Sequence, residues 1–490
     1  MNTAAQTIDN LFEQLGTDPQ VRLTDVAHSK QQTGLDLEHR FTRARGRLLA
    51  AGIEPQQTVL FAIRPSTTAL VYLAALLSVG VRVVLTDLLL PQRLLATQME
   101  RVSPSAVITE PMIAVASRWP FRFIAETFGK KIPPIHTLAP RVMTTRRGRS
   151  IQPDVKAPAP ADSALVVFTS GTTGIPKAVV HTQASLAFMV TALSELMGEA
   201  QDKVVYSDQF HSILPALAAG AHCVIGPTDL SDEKVAEALQ RYDVDVWFTT
   251  PSRARSVTSI LRDHTPGHLV LGSSPVTSAL VAEVIAHRPG VILTGVYAMT
   301  EAVPVAVADG ADITSHNVPG DLVGNIVAGI DVRIDADGEI WLRGPRVGFH
   351  LGDEEAEWVA TGDLGHTDSD GRLVLDGRSK DMILSKGRNI YPQHFEPEFN
   401  SLSGVVASAL VGLRDPYGDE SVWLIIESDL SQDTIKKELE ALPAVRSLGI
   451  EGAVFAAMPR GRQGKLDRKA CRELAASAAT NGTAIELTHN

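Results

Sequence analysis

Apolar and polar residues in the first part of the chain alternate between a helical and a strand-like spacing. A helical face with apolar residues three or four positions apart is formed by Leu37, Phe41, Ala44 and Leu48. The strand-like runs 58–63 and 82–86 predict buried strands, and the apolar run 69–81 between them predicts a buried helix. That run is too short to cross a bilayer, so no membrane span is expected. This repetition favours a layered α/β domain with a largely parallel sheet.

The middle of the chain continues the same alternation. Short β-branched or apolar runs predict strands over 164–168, 222–225 and 244–250. Between the last two, Ser231-Asp232-Glu233 begins a helical pattern that continues to Tyr242. The tail after about residue 475 is rich in Ala, Ser, Thr and Asn, and we expect it to be frayed.

Composition narrows the class of protein. A chain of 490 residues with 44% hydrophobic content can bury a large core and form two or more domains. Its formal net charge of -11 argues against a nucleic acid as the main partner. Cys223 and Cys471 lie far apart without metal-ligand spacing, which supports neither a disulfide framework nor a zinc site. With no basic and apolar leader at the N-terminus, a reducing cytoplasm is the expected compartment.

A loop rich in small polar residues follows the strand predicted at 164–168. It reads Thr169-Ser170-Gly171-Thr172-Thr173-Gly174-Ile175-Pro176-Lys177. Its backbone N–H groups, hydroxyls and single lysine suit the phosphates of a nucleotide, and no bulky side chain blocks a close approach. It is not a Walker A loop, because Pro176 precedes the lysine and no Ser or Thr follows it. An ordinary polar turn after a strand is the alternative.

This wording resembles the signature loop of the adenylate-forming superfamily, which comprises acyl-CoA synthetases, peptide-synthetase adenylation domains and luciferases. The resemblance covers roughly residues 35–470 and is closest to acyl- or aryl-CoA ligases. It implies an α/β fold with a large multi-sheet N-terminal domain, residues 1–378, that binds ATP and the acid. It also implies a smaller, mobile α+β C-terminal domain, residues 379–490.

A second motif spans residues 295–304 and resembles the family's Tyr-Gly-x-Thr-Glu segment. The resemblance implies that Tyr297 stacks on adenine, Thr300 hydrogen-bonds the α-phosphate and Glu301 holds Mg²⁺ on the ATP phosphates. An aromatic plane, a hydroxyl and a hard carboxylate suit these three tasks. Val296 and Ala298 replace glycines of many relatives, so the floor of the acyl channel is expected to be raised.

Other implied contacts flank this motif. The small-residue loop against which adenine packs would be Gly272, Ser273, Ser274 and Pro275, although a plain turn would look the same. His211 would lie at the wall of the acid pocket, with Val303 also lining it. A satisfied structural histidine is the alternative for His211.

The C-terminal motifs complete the resemblance. Asp363, in Ala-Thr-Gly-Asp-Leu, would accept both ribose hydroxyls, which a carboxylate can do. Arg378 would reach the ribose or phosphate, and Lys380 would be the hinge. Gly387 would lie in a hairpin that covers the site for thioester formation. Lys465 would bridge the carboxylate and the α-phosphate during adenylation.

The implied reaction joins a small-molecule carboxylic acid to AMP, with ATP and Mg²⁺, and then to the thiol of coenzyme A. Positioning and electrostatic stabilisation would supply most of the acceleration. One alternative is an enzyme that loads an acyl or peptidyl carrier protein, or that closes a β-hydroxy acid to a β-lactone. Another is a non-catalytic or half-reaction homologue that uses preformed acyl-adenylate.

Overall fold

The computed structural model describes residues 3–63, 66–86, 92–109, 136–138, 162–169, 177–198, 200–208, 210–227, 230–261, 266–316, 320–353, 356–385, 388–390, 392–414, 420–461, 465–485 and 487. The chain divides into two compact units. Unit 1 comprises Met1–Thr314, Asn325–Asp331 and Leu342–Val359, and unit 2 comprises Ser315–Gly324, Val332–Trp341 and Ala360–Asn490. The predicted boundary after residue 378 separates a fixed domain from a mobile one. The division into compact units does not test it, and it stays a prediction.

The structure is mixed α/β, as predicted. Its α-helices are α1 (Ala4–Leu15), α2 (Gly34–Ala50), α3 (Thr67–Val79), α4 (Gln92–Val102), α5 (Gln183–Leu196), α6 (Ile213–Ala218), α7 (Asp232–Arg241), α8 (Pro251–Ile260), α9 (Ser278–His287), α10 (Gly310–Ser315), α11 (Pro392–Asn400), α12 (Gln432–Ala441), α13 (Pro443–Leu448) and α14 (Arg468–Asn481). No helix in the described part of the chain has both the length and the apolar character needed to cross a membrane.

The strands in chain order are β1 (Val21–Asp25), β2 (Lys30–Thr33), β3 (Thr58–Ala62), β4 (Arg82–Leu85), β5 (Ala106–Thr109), β6 (His136–Leu138), β7 (Ser163–Thr169), β8 (Lys177–Thr182), β9 (Val204–Ser207), β10 (His222–Ile225), β11 (Val246–Thr249), β12 (His268–Leu271), β13 (Ile292–Met299), β14 (Ala302–Asp309), β15 (Asp321–Ile326), β16 (Asp331–Ile334), β17 (Glu339–Arg343), β18 (Phe349–His350), β19 (Val359–Thr367), β20 (Leu373–Arg378), β21 (Ile383–Ser385), β22 (Arg388–Ile390), β23 (Val405–Arg414), β24 (Glu420–Ser428) and β25 (Ile450–Phe455). The predicted strands correspond to β3, β4, β7, β10 and β11, and the predicted helices to α2, α3 and α7, so these predictions are confirmed.

Helix α2 shows how local sequence sets an element. The Thr33 side chain accepts a hydrogen bond from the Asp36 backbone N–H at 3.0 Å, and the Asp36 carboxylate accepts one from the Thr33 backbone N–H, which closes a capping box. The predicted apolar face is buried, and Phe41 stacks on Phe12 of α1 with ring centroids 4.1 Å apart. Helix α3, buried on nearly every side, belongs to the same core.

Two sheets position the site in unit 1. One runs β18-β8-β7-β4-β3-β5-β6, in which β7, β4, β3, β5 and β6 are parallel. The other runs β14-β13-β12-β11-β9-β10-β1-β2 and is parallel from β13 to β1. Because parallel strands end at the same edge of a sheet, the loop after β12 lies beside Val296 of β13, on the way to the turn that follows β13.

Unit 2 has its own sheets and cores. Strands β19 and β20 pair antiparallel, and β20 also pairs with residues 321–324 of β15. Strands β23, β24 and β25 form a separate sheet with α11 and α14 packed against β23. The expectation of a frayed tail is wrong. Helix α14 continues to Asn481 with Ala475 and Ala478 buried. Alanine is the best helix former, and its small side chain allows the helix to pack closely.

Candidate active site

The loop predicted to hold phosphates is carried between two antiparallel strands. Strands β7 and β8 pair up to Thr169 and Lys177, so the chain leaves the sheet at the first residue and returns at the second. Lys177 is exposed. The predicted contacts Ser170, Gly171, Thr172, Thr173 and Gly174 lie outside the described residues, as does the side chain of Thr169. The described part therefore gives the stem of this loop.

The second motif forms the tip of the β13–β14 hairpin. Met299 pairs with Ala302, which leaves Thr300 and Glu301 as a two-residue turn, and the register shifts between Tyr297 and Met299. Tyr297 and Glu301 are buried. Because the turn is short and the bulge re-aims the strand, the hydroxyl and carboxylate are presented on a rigid element.

Two histidines hold this turn in place. Nε2 of His181, in β8, donates to the Thr300 carbonyl at 2.7 Å, while its Nδ1 lies 3.3 Å from the Ser185 hydroxyl. Nε2 of His350, in β18, lies 2.7 Å from Oε1 of Glu301. Burial lowers the pKa of His181, although the Thr300 carbonyl and the Glu301 charge oppose that shift. The neutral imidazole of His181 thus links the stem of the phosphate loop to the Thr300–Glu301 turn.

The predicted adenine loop follows β12 directly. A Cβ on Gly272 would lie 3.4 Å from the Val296 carbonyl, so the loop runs close against β13. Ser273 adopts φ 71°, a left-handed conformation that a short polar residue tolerates. Ser273 and Pro275 are exposed, while Gly272 is buried. The loop therefore leaves a surface of small side chains beside the strand that carries Tyr297.

The predicted acid wall is apolar in the described residues. His211, in the 3₁₀ turn Phe210–Ser212, packs edge-on against the Phe248 ring with centroids 5.5 Å apart. Phe248 and Val296 share one hydrophobic core, against which Ala298 and Val303 pack. The His211 residue is exposed, although protein surrounds its imidazole. This burial lowers the pKa of His211 to about 4, against the opposing charge of Asp208, and the imidazole is neutral at pH 7.

In unit 2, two predicted ribose contacts form an ion pair. Asp363 and Arg378 are partners in the β19–β20 register, and Nε of Arg378 lies 2.5 Å from Oδ1 of Asp363. The Asp363 side chain is 5% exposed and that of Arg378 is 47% exposed. The backbone N–H of Asp363 donates to the Thr361 hydroxyl, which donates to the Ile340 carbonyl. The carboxylate is thus held firmly while the arginine faces solvent.

Lys465 lies near this ion pair. Its carbonyl accepts a hydrogen bond from the Gly461 backbone at 2.8 Å, and Arg460 bridges to Leu466. The Lys465 residue is exposed, but its ammonium is partly enclosed by protein. Burial lowers the pKa of this lysine, and the positive charge of Arg378 lowers it further. Unit 2 therefore brings Asp363, Arg378 and Lys465 into one electrostatic neighbourhood.

The predicted hinge and hairpin also lie in unit 2. The Lys380 side chain is exposed, and the Lys380 carbonyl accepts a hydrogen bond from Arg472 at 3.1 Å. Strands β21 and β22 pair antiparallel, which confirms the predicted hairpin, with Ser385 opposite Arg388. Gly387 lies outside the described residues.

Residues 12–348 match the family described as AMP-binding enzyme. The chain belongs to this family. The match covers the phosphate-loop stem, the adenine loop and the Thr300–Glu301 turn, so most of unit 1 is the part that the family shares.

Individual members of the adenylate-forming superfamily resemble this AMP-binding enzyme at modest identity. The indoleacetate–CoA ligase of Aromatoleum aromaticum is 29% identical over 70% of this chain and 73% of its own. The olefin beta-lactone synthetase of Stenotrophomonas maltophilia is 27% identical over 77% of this chain and 78% of its own. The structure of the amide bond synthetase McbA from Marinactinospora thermotolerans has a TM-score of 0.78 and 22% identity, covering 96% of this chain and 99% of that one. This last likeness shows the fold.

Within each unit the structure collects most of the predicted site residues that it describes. Unit 1 places Tyr297, Thr300 and Glu301 on one hairpin beside the Gly272 loop, and unit 2 groups Asp363, Arg378 and Lys465. The sequence motifs did not predict a role for His181 or His350. Neither stands in a motif, and the contacts of these histidines with the turn span 119 and 49 residues of chain, so only the strand pairing reveals them.

A half-buried carboxyl at the start of β15 makes stability depend on pH. Burial raises the pKa of Asp321 from its ordinary 3.8 to about 6, with His394 lowering it and Glu396 raising it. The folded state then binds the proton more tightly than the unfolded state does, so the free energy of unfolding falls as pH rises from about 4 through about 6. We expect Asp321→Asn to be more stable than the parent by on the order of 1–3 kcal/mol at pH 8.

Urea unfolding at pH 4 and pH 8 measures this effect. The gain should be present at pH 8 and small at pH 4, where the parent carboxyl is protonated in the folded state. Asp429→Asn, at an exposed aspartate of the same unit, is the matched control and should show no pH-dependent gain. An equal gain for Asp321→Asn at both pH values would contradict the prediction.

Proposed function

We propose that this AMP-binding enzyme uses ATP to activate a carboxylic acid whose body is uncharged and largely apolar, and transfers the acyl group to coenzyme A. In the first step an oxygen of the acid bonds to the α-phosphorus of ATP, the bond to pyrophosphate breaks, and acyl-AMP forms. In the second step the thiol of coenzyme A bonds to the acyl carbon and loses its proton, while the bond to AMP breaks. The observation that carries the adenylation step is the grouping of Asp363, Arg378 and Lys465 in unit 2.

Each residue has a task that suits its chemistry. Asp363, held by its backbone contacts, would accept hydrogen bonds from the ribose hydroxyls in place of its contact with Arg378. The Lys465 ammonium would neutralise the negative charge that develops on the oxygens around the α-phosphorus. The Thr300 hydroxyl would donate to an α-phosphate oxygen, and Tyr297 would pack against adenine.

Glu301 fits a magnesium ion that arrives with the nucleotide. Its carboxylate is a hard oxygen ligand, and Oε2 has no hydrogen-bond donor among the described residues. No group of three or more His, Cys, Asp or Glu in the described ranges could hold a metal ion. Mg²⁺ commonly binds through one or two carboxylates and the substrate phosphates, and this pattern supports a metal held between Glu301 and ATP, where it would neutralise phosphate charge.

The acid class follows from the described wall of the pocket. Phe248 and Val296 are apolar, and the neutral His211 offers no cation for a second carboxylate. The AMP-binding enzyme should therefore prefer monocarboxylic acids with an aromatic or aliphatic body. We expect kcat/KM for a dicarboxylic acid to be at least about 10-fold lower than for the monocarboxylic acid of the same length, because burying an unpaired charge is costly.

A panel assay tests the whole proposal. Purified protein with MgATP is given matched monocarboxylic, dicarboxylic, aromatic and hydroxylated acids, and pyrophosphate and mass-resolved products are followed with and without coenzyme A. Acyl-CoA from a monocarboxylic acid supports both steps. The second candidate product is a β-lactone, because the chain is similar to the olefin beta-lactone synthetase. Formation of a β-lactone, or of acyl-AMP that does not react with coenzyme A, would refute the thioester step. Preference for dicarboxylic acids would refute the acid class.

A further inference from the structure

We propose that His350 is a positioning residue that fixes the Glu301 carboxylate in the orientation required for the metal–ATP complex. This inference rests on the proposed function, in which Glu301 contacts the magnesium ion. It adds a task for a residue that stands outside the motifs, in the stretch of sequence between Glu301 and Asp363.

The contact between the two side chains is short and sheltered. Nε2 of His350 lies 2.7 Å from Oε1 of Glu301, and the side chains are 20% and 10% exposed, respectively. A hydrogen bond shielded from water in this way is stronger than one on the surface. Because a carboxylate oxygen only accepts, Nε2 must carry the hydrogen, and it does so in either protonation state of the ring. Orientation of Glu301 therefore does not depend on charging the histidine.

The bond leaves the carboxylate half occupied. Oε1 is taken by His350, whereas Oε2 has no donor in the part of the chain that the structure describes. A free glutamate terminus rotates broadly about its last torsion. Anchoring one oxygen sets the direction of the other, which is what a single carboxylate ligand needs for the demanding geometry of Mg²⁺.

The backbone around His350 is fixed to the same glutamate. The Gly348 backbone N–H donates to the Glu301 carbonyl at 2.6 Å, two residues before His350. Gly348 and His350 therefore both contact Glu301, the first through its backbone and the second through its side chain. A Cβ on Gly348 would lie 2.8 Å from the Val180 carbonyl, so glycine permits this close approach. His350 itself pairs with Val179 of β8.

These contacts connect the parts that must meet ATP. Strand β8 carries His181, which holds the Thr300 carbonyl, and β18 carries His350, which holds the Glu301 carboxylate. The two strands are paired, so adjacent strands supply both hydrogen bonds to the turn. Partners that orient a metal ligand commonly account for 10–100-fold in metal affinity or activity.

The test compares His350→Leu, which removes the donor, with His350→Gln, which returns an N–H near the position of Nε2. Mn²⁺ is titrated into protein saturated with ATP, without acid, and bound metal is followed by electron paramagnetic resonance. We expect the affinity for Mn²⁺ in this ternary complex to fall about 10-fold in His350→Leu and to recover to within about 3-fold in His350→Gln. Affinity for ATP measured with EDTA should stay unchanged in both variants, which a general loss of structure would not allow.

Matched controls separate this inference from its premise. His28→Leu makes the same change at another histidine of unit 1, which contacts Asp25 at 3.0 Å, and it should bind Mn²⁺ like the parent. Unchanged or tighter Mn²⁺ binding in His350→Leu, or a His350→Gln variant as weak as His350→Leu, would overturn the positioning role and leave the proposed function standing. If the parent and Glu301→Gln bound Mn²⁺ equally in the presence of ATP, the metal role of Glu301 would fall, and the inference with it.

Discussion

Lys465→Ala is expected to slow formation of acyl-AMP by about 10²–10³-fold, the size of the loss when one donor to a developing negative charge is removed. Lys465 lies near Arg378 in unit 2, where partial burial strengthens its interaction with an anionic transition state. Pyrophosphate release with MgATP and the preferred acid measures the effect. The second half-reaction, measured from supplied acyl-AMP and coenzyme A, should stay within about 3-fold of the parent, because an interaction made only in one transition state affects only that step.

Lys469→Ala is the matched control for this experiment. Lys469 lies four residues on, its side chain is 85% exposed, and it faces Glu473 at 4.0 Å. We expect this variant to release pyrophosphate at the parental rate. Equal losses in both half-reactions of Lys465→Ala would indicate a structural role for the lysine, and a parental rate of adenylation would remove it from the mechanism.

Short-range patterns in the sequence account for the elements that carry the site. Helix α2 and strands β3 and β7 show their apolar spacing or β-branched runs within a few neighbouring residues. Local sequence is therefore enough to predict these elements. The β21–β22 hairpin could likewise be predicted, because its motif occupies one contiguous segment. The roles of the site residues came from the resemblance and not from periodicity.

Contacts between residues far apart in the chain could not be predicted from the sequence. Strand β18 joins β8 across about 170 residues, and that pairing alone brings His350 to Glu301. A two-residue strand carries too few positions to show a period, so no local pattern announces it. The prediction of a frayed tail after about residue 475 was wrong for a different reason. Its small polar composition is typical of a flexible terminus, but Ala475 and Ala478 lie on the buried side of α14.

An ion pair inside unit 2 carries the other large expected effect. Arg468 and Glu396 make two parallel hydrogen bonds of 2.7 Å, and their side chains are 13% and 11% exposed. Arg468 also donates to the Leu410 carbonyl at 2.9 Å, while Glu396 accepts from the Leu410 backbone N–H at 2.8 Å. The pair therefore joins helices α11 and α14 to β23, an edge strand of the three-stranded sheet.

Arg468→Leu should destabilise unit 2 by about 3–5 kcal/mol, because it leaves the Glu396 carboxylate buried without its counter-charge. Scanning calorimetry, which can resolve separate transitions in a chain of two units, measures the loss. The Lys469→Leu control removes the cation of an exposed pair and should change stability by no more than about 0.5 kcal/mol.

The double variant Glu396→Leu/Arg468→Leu distinguishes a buried charge from a lost contact. Removing both charges abolishes the desolvation penalty, so the double variant should recover at least about half of the loss, although the two Leu410 backbone groups lose their partners. If the double variant were as unstable as the sum of the two single variants, the two side chains would be contributing independently. The pair would then stabilise unit 2 through the Leu410 hydrogen bonds and packing, and not through neutralisation of one buried charge by the other.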